Sequence, residues 1–193
     1  MRLTTPARLL ILTLAFAGLG LPSPMTTTPA LGQGAETAGE RHFAVPISLL
    51  EEHAELYSAF EAASRLPGET GAAARRVAVL RAPHVATEQR IAYPLLRLLP
   101  MLSNGEPEPW MADLLPLADR LRAALPSLKQ EHVAILKELD VLKDTAWAED
   151  HPEYAFLAQR LRHHIRVEEE ILYPAALVTA DCVRGRLNQT SRR

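Results

Sequence analysis

The sequence is poor in cysteine, which limits the metal and disulfide chemistry that the chain can carry. Cys182 is the single cysteine among 193 residues. One cysteine excludes an intramolecular disulfide framework and any site built from several thiolates, so a metal would need nitrogen and oxygen ligands. Charge of one sign is also scarce, since the formal net charge is −2 and the pI is about 6.4. Nucleic-acid binders are typically strongly basic, and no nucleic-acid partner is therefore predicted.

The sequence also lacks a long apolar run. Residues 9–21 are apolar, but the run is short for a bilayer span and typical of the core of a signal peptide. Arg2 and Arg8 precede it, and small residues follow it. We therefore expect a signal peptide and processing region at 1–36, export to the periplasm or secretion, and no stable membrane span after processing. Met25 offers an alternative start, from which the protein would be cytoplasmic.

Alternation of polar and apolar residues, which would predict strands, is not sustained anywhere in the sequence. A helical pattern is repeated instead, as HVATEQRIAYP at 84–94 and HIRVEEEILYP at 164–174. Each copy has a histidine, a glutamate four residues later, an isoleucine seven later and Tyr-Pro nine and ten later. Positions four and seven apart return to one helix face, so each copy predicts one inward stripe. The stripes are His84, Glu88 and Ile91 in the first copy, and His164, Glu168 and Ile171 in the second.

A second repeat precedes each stripe. Glu52-His53 and Glu131-His132 are both followed by an apolar residue three positions after the histidine. The copies are offset by 79 residues here and by 80 residues in the histidine-glutamate stripes. Because internal repeats determine architecture, this agreement predicts two similar halves with four helices in all.

The predicted fold is all-α, an up-down-up-down four-helix bundle with an internal two-fold repeat of helix pairs. Ser48 is expected to cap the first helix, with Glu51 as its capping-box partner. Several prolines within the second helix predict that it is broken or bent. The predicted helices span about 48–64, 71–102, 110–146 and 151–178. The bundle is assigned to 46–180, with a connector at 37–45 and a basic tail at 181–193.

Inward residues at similar depth converge on the axis of a bundle, where helical proteins build metal sites. Four imidazoles and two carboxylates are too many for one tetrahedral zinc and suit two divalent ions, with the glutamates able to bridge them. Such ligands favour iron, manganese or zinc over calcium and magnesium. Each histidine could alone be an ordinary core or surface residue, but six residues repeated in register favour a metal site. The predicted ligands are His53, His84, Glu88, His132, His164 and Glu168.

Other polar residues near these ligands are predicted to have minor roles. Glu52 and Glu131 lie about 100° around the helix from the neighbouring histidines, so they are expected in solvent or at most behind the ligands. Glu169 is assigned to a charged outer face, although a rotation of the helix would bring it inward. Tyr93 and Tyr173 lie about 180° from the histidines of their copies and are expected to pack against neighbouring elements.

At these residues, over about 45–180, the chain resembles the hemerythrin-like family, also called the HHE cation-binding domain. The resemblance implies a four-helix bundle with two non-haem irons held by the six residues above, bridged by Glu88 and Glu168. Oxygen-carrying hemerythrins have a further histidine one turn from the third-helix ligand, where this chain has Leu128 and Leu136. The chain is more similar to the symmetric four-histidine, two-glutamate members, which include iron-handling and nitrosative-stress repair proteins. Reversible oxygen carriage is therefore not expected.

Three functions are compatible with such a centre. The first is a non-catalytic di-iron module that binds or senses O2 or NO, or handles iron, at an open coordination position. The second is a di-iron redox enzyme that reduces peroxide or NO, which ranks lower because no inward-facing proton donor is predicted. The third is a helical interaction module with a structural metal. A small diatomic ligand, O2 or NO, is the expected partner.

Overall fold

The computed structural model describes residues 45–105 and 107–190, and these residues are helical, with no strand among them. The predicted signal peptide, the alternative start at Met25 and nearly all of the connector lie outside the described residues. None of the described helices is both long and apolar enough to cross a membrane.

Helix α1 spans Ile47–Ser64, close to the predicted bounds, but it is not capped as predicted. Pro46 occupies the N-cap, and no side chain caps the helix. The Pro46 carbonyl accepts hydrogen bonds from the N–H groups of Leu49 and Leu50. The prediction of a capping box formed by Ser48 and Glu51 was therefore wrong, because Ser48 lies inside the helix and not at its N-cap.

The second predicted helix is broken, as its prolines indicated. It forms α2 (Gly68–Ile91), α3 (Tyr93–Leu96) and α4 (Leu98–Asn104). Pro83 is accommodated within α2, whereas Pro94 lies in the first turn of α3. A proline has no N–H to donate to the preceding turn, so the hydrogen-bond ladder of α2 is interrupted there.

The third and fourth predicted helices begin close to their predicted positions. A 3-10 helix at Pro109–Leu114 leads into α5 (Leu115–Ala148). Helix α6 (Pro152–Val167) continues through a π-helical turn at Glu168–Leu172 into α7 (Tyr173–Thr190). Helix α7 extends well past the predicted end at 178, and Val183, in the segment assigned to a basic tail, is buried in the core.

Helix α5 packs against α2 and α6, and α1 packs against α2 and α6. The buried apolar side chains form two clusters. The Phe60 cluster includes Leu56, Phe60, Val77, Ile135, Leu139 and Leu161. The Tyr93 cluster includes Tyr93, Leu95, Leu98, Leu121, Leu128 and Tyr173.

A layer of buried polar residues separates the two clusters. Along α5, Leu128 belongs to the Tyr93 cluster and Ile135 to the Phe60 cluster, with the buried His132 between them. Helix α1 changes cluster at His53 and α2 at His84 in the same way. The helices therefore bring histidines from distant parts of the sequence to one depth in the core.

Substitution of Gly71 by alanine is expected to destabilise the fold. A Cβ at this position would lie 1.9 Å from the backbone oxygen of Leu66. Because backbone must move to make room, Gly71→Ala should lower the free energy of unfolding by about 1–3 kcal/mol. Gly185 lies on an exposed part of α7 with open space around it, so Gly185→Ala should stabilise by roughly 0.5–1 kcal/mol. Urea denaturation of both variants tests this, and equal stabilities would contradict it.

Candidate metal centre

The polar layer contains all six residues that the sequence predicted as ligands. Each is buried, with none more than 4% exposed. Helix α1 provides His53, α2 provides His84 and Glu88, and α5 and α6 provide the other two histidines. Glu168 is the first residue of the π-helical turn. The structure therefore places the six residues together, as the repeat predicted.

The six side chains form two groups of potential ligands that share one glutamate. The first is His84, Glu88, His132 and Glu168, and the second is His53, His164 and Glu168. Within each group the potential ligand atoms lie within 4.8 Å of one another. Glu168 Oε1 lies 2.8 Å from His164 Nε2, and Oε2 lies 3.2 Å from His132 Nε2. The two oxygens of one carboxylate thus face different groups.

Several buried atoms in these groups have no hydrogen-bond partner among the described residues. They include Nε2 of His84, Nε2 of His132 and Oε2 of Glu88. An unpaired buried polar atom costs about 1–3 kcal/mol. The Nε2 atoms of His53 and His164 lie only 3.0 Å apart, so one of the two rings must donate an Nε2 proton to the other unless a cation lies between them. Cations would satisfy all of these atoms, and the imidazole and carboxylate donors suit iron, manganese or zinc.

Carboxylates behind the histidines orient three of the four rings. Nδ1 of His84 lies 2.8 Å from Glu131, and Nδ1 of His132 lies 2.8 Å from Glu169. Nδ1 of His164 lies 3.1 Å from Glu52. Such a carboxylate holds the ring proton on Nδ1 and leaves the Nε2 lone pair for a metal.

Two of these carboxylates were predicted to lie in solvent or at most behind the ligands. Glu131 precedes His132 in the sequence but contacts His84 on α2, and Glu52 precedes His53 but approaches His164 on α6. Their partners lie on neighbouring helices, and a helical wheel for one helix cannot identify them. Glu169 was placed on an outer face, and it contacts His132 from the π-helical turn.

Tyr93 and Tyr173 pack in the apolar core, as predicted, but their hydroxyls also contact the glutamates, which was not predicted. The hydroxyl of Tyr93 donates to Glu168 at 2.5 Å, and that of Tyr173 donates to Glu88 at 2.5 Å. The predicted angle of about 180° assumed a straight helix, but the helix that carries the first copy of the repeat breaks between α2 and α3. In the second copy the π-helical turn, with its i→i+5 hydrogen bonds, changes the register. Ile171 was predicted on the inner stripe, but it lies within this π-helical turn and is 57% exposed.

Burial and neighbouring charges shift the pKa values of the histidines in opposite directions. Burial, followed by the positive charge of His164, lowers the pKa of His53 to about 4. Burial would also lower the pKa of His84, but the nearby carboxylates of Glu88 and Glu131 outweigh it and raise the pKa to about 9. The metal-free layer therefore combines a neutral His53 with a protonated His84 near neutral pH.

The pKa values of Glu88 and Glu168 are also shifted in opposite directions. Burial, together with the charge of Glu168, raises the pKa of Glu88 despite its contact with His84. Burial opposes ionisation of Glu168 as well, but His132 and His164 outweigh it and lower its pKa. Burial and the charges of both glutamates raise the pKa values of Tyr93 and Tyr173. Both tyrosines therefore keep their protons in the metal-free protein.

Metal-free protein should lose stability as the pH rises from about 6.5 to about 9. The pKa of His84 is about 9 in the folded chain and about 6.5 when unfolded, so its contribution is complete below 6.5 and is lost as the pH passes through 9. Glu131→Gln removes one cause of the raised pKa and should flatten the decline. Glu170→Gln, on an exposed neighbour of Glu169, is the control. Urea denaturation with a chelator present measures this, and a stability that rises over this range would contradict it.

Comparisons with models of protein families, with curated proteins and with solved structures found no match to this chain. A metal centre is supported by the repeated sequence pattern, the two buried groups that share Glu168 and the carboxylates behind their histidines.

Proposed function

We propose that this chain is a hemerythrin-like, non-haem di-iron protein whose metal centre binds or senses O2 or NO, or handles iron. The two groups of ligands would hold one ion each, with Glu168 bridging them and Glu88 as the second bridge. The observation that carries the proposal is the shared carboxylate of Glu168, whose oxygens face His164 in one group and His132 in the other. Manganese or zinc would also be compatible with these ligands.

We further propose that the helices form an up-down-up-down bundle built from two similar pairs. Contacts that cross between the sequence copies support this arrangement. Tyr93 of the first copy donates to Glu168 of the second, and Tyr173 of the second donates to Glu88 of the first. Glu131 and Glu52 contact histidines of the opposite copies in the same reciprocal way. Neither copy would complete the site alone.

When bound, the metal pair would supply electrons and an open coordination position for a small ligand. The chain's own residues hold the donors in place and exclude water. Leu128, which is 1% exposed, and the half-buried Leu136 lie one turn before and one turn after His132. A histidine in place of either leucine would fill a coordination position of the metal, and leucine leaves that position open. Six ligands for two ions leave positions free, and a diatomic molecule is of suitable size.

The purified chain is expected to contain two metal ions and, after anaerobic preparation, to show an optical spectrum that changes on exposure to air or NO. Glu88→Ala and His164→Ala should reduce the metal content. Glu169→Gln should weaken metal affinity roughly 10–100-fold, because it removes the carboxylate behind His132. Metal analysis and competition with a chelator measure these effects.

Glu170→Gln is the matched control, because Glu170 is adjacent to Glu169 but exposed, and its metal affinity should be unchanged. The proposal would be contradicted if wild-type protein contained no metal, or if it contained a single zinc ion that Glu88→Ala also retained. Metal that is needed for folding but leaves no response to gas would favour an interaction module with a structural metal.

A second function, a di-iron redox enzyme that reduces peroxide or NO, gains support from the tyrosines. Such an enzyme needs proton donors beside the metal ligands. The hydroxyls of Tyr93 and Tyr173 donate hydrogen bonds to Glu168 and Glu88, and both tyrosines are buried. Sequence analysis predicted no such donors and ranked the enzyme lower on that ground.

The tyrosines distinguish the redox enzyme from the binding module. If the protein is an enzyme, Tyr93→Phe and Tyr173→Phe should lower turnover of peroxide or NO about 10²–10⁴-fold, the usual contribution of a positioned proton donor. The dissociation constant for NO should change little, because the metal ligands remain. Tyr57→Phe, at an exposed residue, is the control. A metal-loaded wild type without turnover would exclude the enzyme and leave the binding module.

A further inference from the structure

Arg81 is a buried cation that the proposed centre does not use as a ligand. It lies one turn before His84 on α2 and is only 7% exposed. Its NH2 atom is buried and has no hydrogen-bond partner in the described part of the chain. Glu168, Glu88 and Glu52 act electrostatically on the charge of Arg81, but leaving the buried NH2 donor unpaired is costly. A small hydrogen-bond acceptor beside NH2 would remove that cost.

Arg81 lies where the outside of the protein meets the metal centre. On the inner side it lines a cavity of about 10 Å³, together with His84, Glu88, His164 and Glu168. That volume is roughly the space of one water molecule. On the outer side Arg81 lines a surface cavity of about 340 Å³ that also exposes residues around His53. The inner cavity has no room for a solute larger than water, so such a solute would stay in the outer cavity, where it contacts both His53 and the Arg81 guanidinium.

The repeat provides an internal comparison for this position. At the offset of 80 residues, Arg81 corresponds to Leu161, and Gln89 corresponds to Glu169. Glu169 contacts Nδ1 of His132, whereas Nδ1 of His53 has no partner in the described ranges. Gln89 lines the outer cavity with His53 and Arg81. At these two positions the half that contains His53 thus carries one more positive charge and one fewer negative charge than the other half.

The charges around the centre would balance only while both bound ions are divalent. Glu88, Glu168 and the three carboxylates behind the histidines carry five negative charges. Two divalent ions and Arg81 would balance them, and oxidation of the ions would leave a positive excess. The carboxylates near Arg81 would then be engaged by metal. An incoming anion would be attracted to both the ions and the guanidinium.

We propose that Arg81 makes the centre selective for small monovalent anions of the size of azide or nitrite, which approach it from the outer cavity. This inference rests on the proposed function, because the anion would occupy the open coordination position. Arg81 acts as the specificity-determining residue, and its guanidinium donates a charge-assisted hydrogen bond to the bound anion.

The test uses azide as the probe on the metal-loaded full chain, with metal content measured first for every variant. Arg81→Met should weaken azide binding about tenfold or more, because a hydrogen bond to a charged group contributes roughly 1.5–3 kcal/mol. Arg81→Lys should retain part of the affinity. Gln89→Glu, which copies the opposite half, should also weaken azide binding. Arg76→Met, at a more exposed arginine on α2 that pairs with Glu138, should have no effect.

A second measurement separates selectivity from packing. Removing a positive charge beside two cations should slow the extraction of metal from Arg81→Met by a chelator, while azide binding weakens. If metal and azide are both lost more easily, Arg81 has only a structural role and the inference is overturned. Unchanged azide affinity in Arg81→Met or in Gln89→Glu, with full metal content, also overturns it. Metal-free wild-type protein overturns the proposed function and this inference together, and the metal analysis identifies that case.

Discussion

The burial of six ionisable side chains at one depth is the constraint on which the rest of the structure depends. Glu88 and His132 have no solvent exposure, and Glu168 has almost none. Groups of this kind are stable in a core only when they are paired or bind a metal. The apolar clusters on either side, the carboxylates behind the rings and the tyrosines beside the glutamates all serve to hold this layer. The protein is therefore organised around charge in its interior.

The sequence predicted the inner layer because its pattern follows from helix geometry alone. A histidine and a glutamate four residues apart share a face in any regular helix, and both copies remain helical from His84 to Glu88 and from His164 to Glu168. The surrounding residues could not be predicted in this way. Glu52 and Glu131 approach histidines on other helices, and those contacts depend on how the helices pack.

The proposed site is symmetric in its ligands but asymmetric in its surroundings. The symmetry lies in the sequence, because each half provides a lone histidine and a histidine-glutamate pair. The differences lie around His53, where Arg81 and Gln89 stand in place of an apolar and an acidic residue of the other half. The surroundings of one half can thus differ while the six potential ligands are the same in both.

The two tyrosines arrive at the centre by different backbone routes, although their spacing from the histidines is identical. In the first copy the chain leaves α2 at Ala92 and begins α3 at Tyr93. In the second copy the helix continues through a π-helical turn into Tyr173. The main chain of the two copies thus differs, whereas a phenol lies next to a carboxylate in both. Two different backbone conformations can therefore present the same side-chain chemistry at one depth in the core.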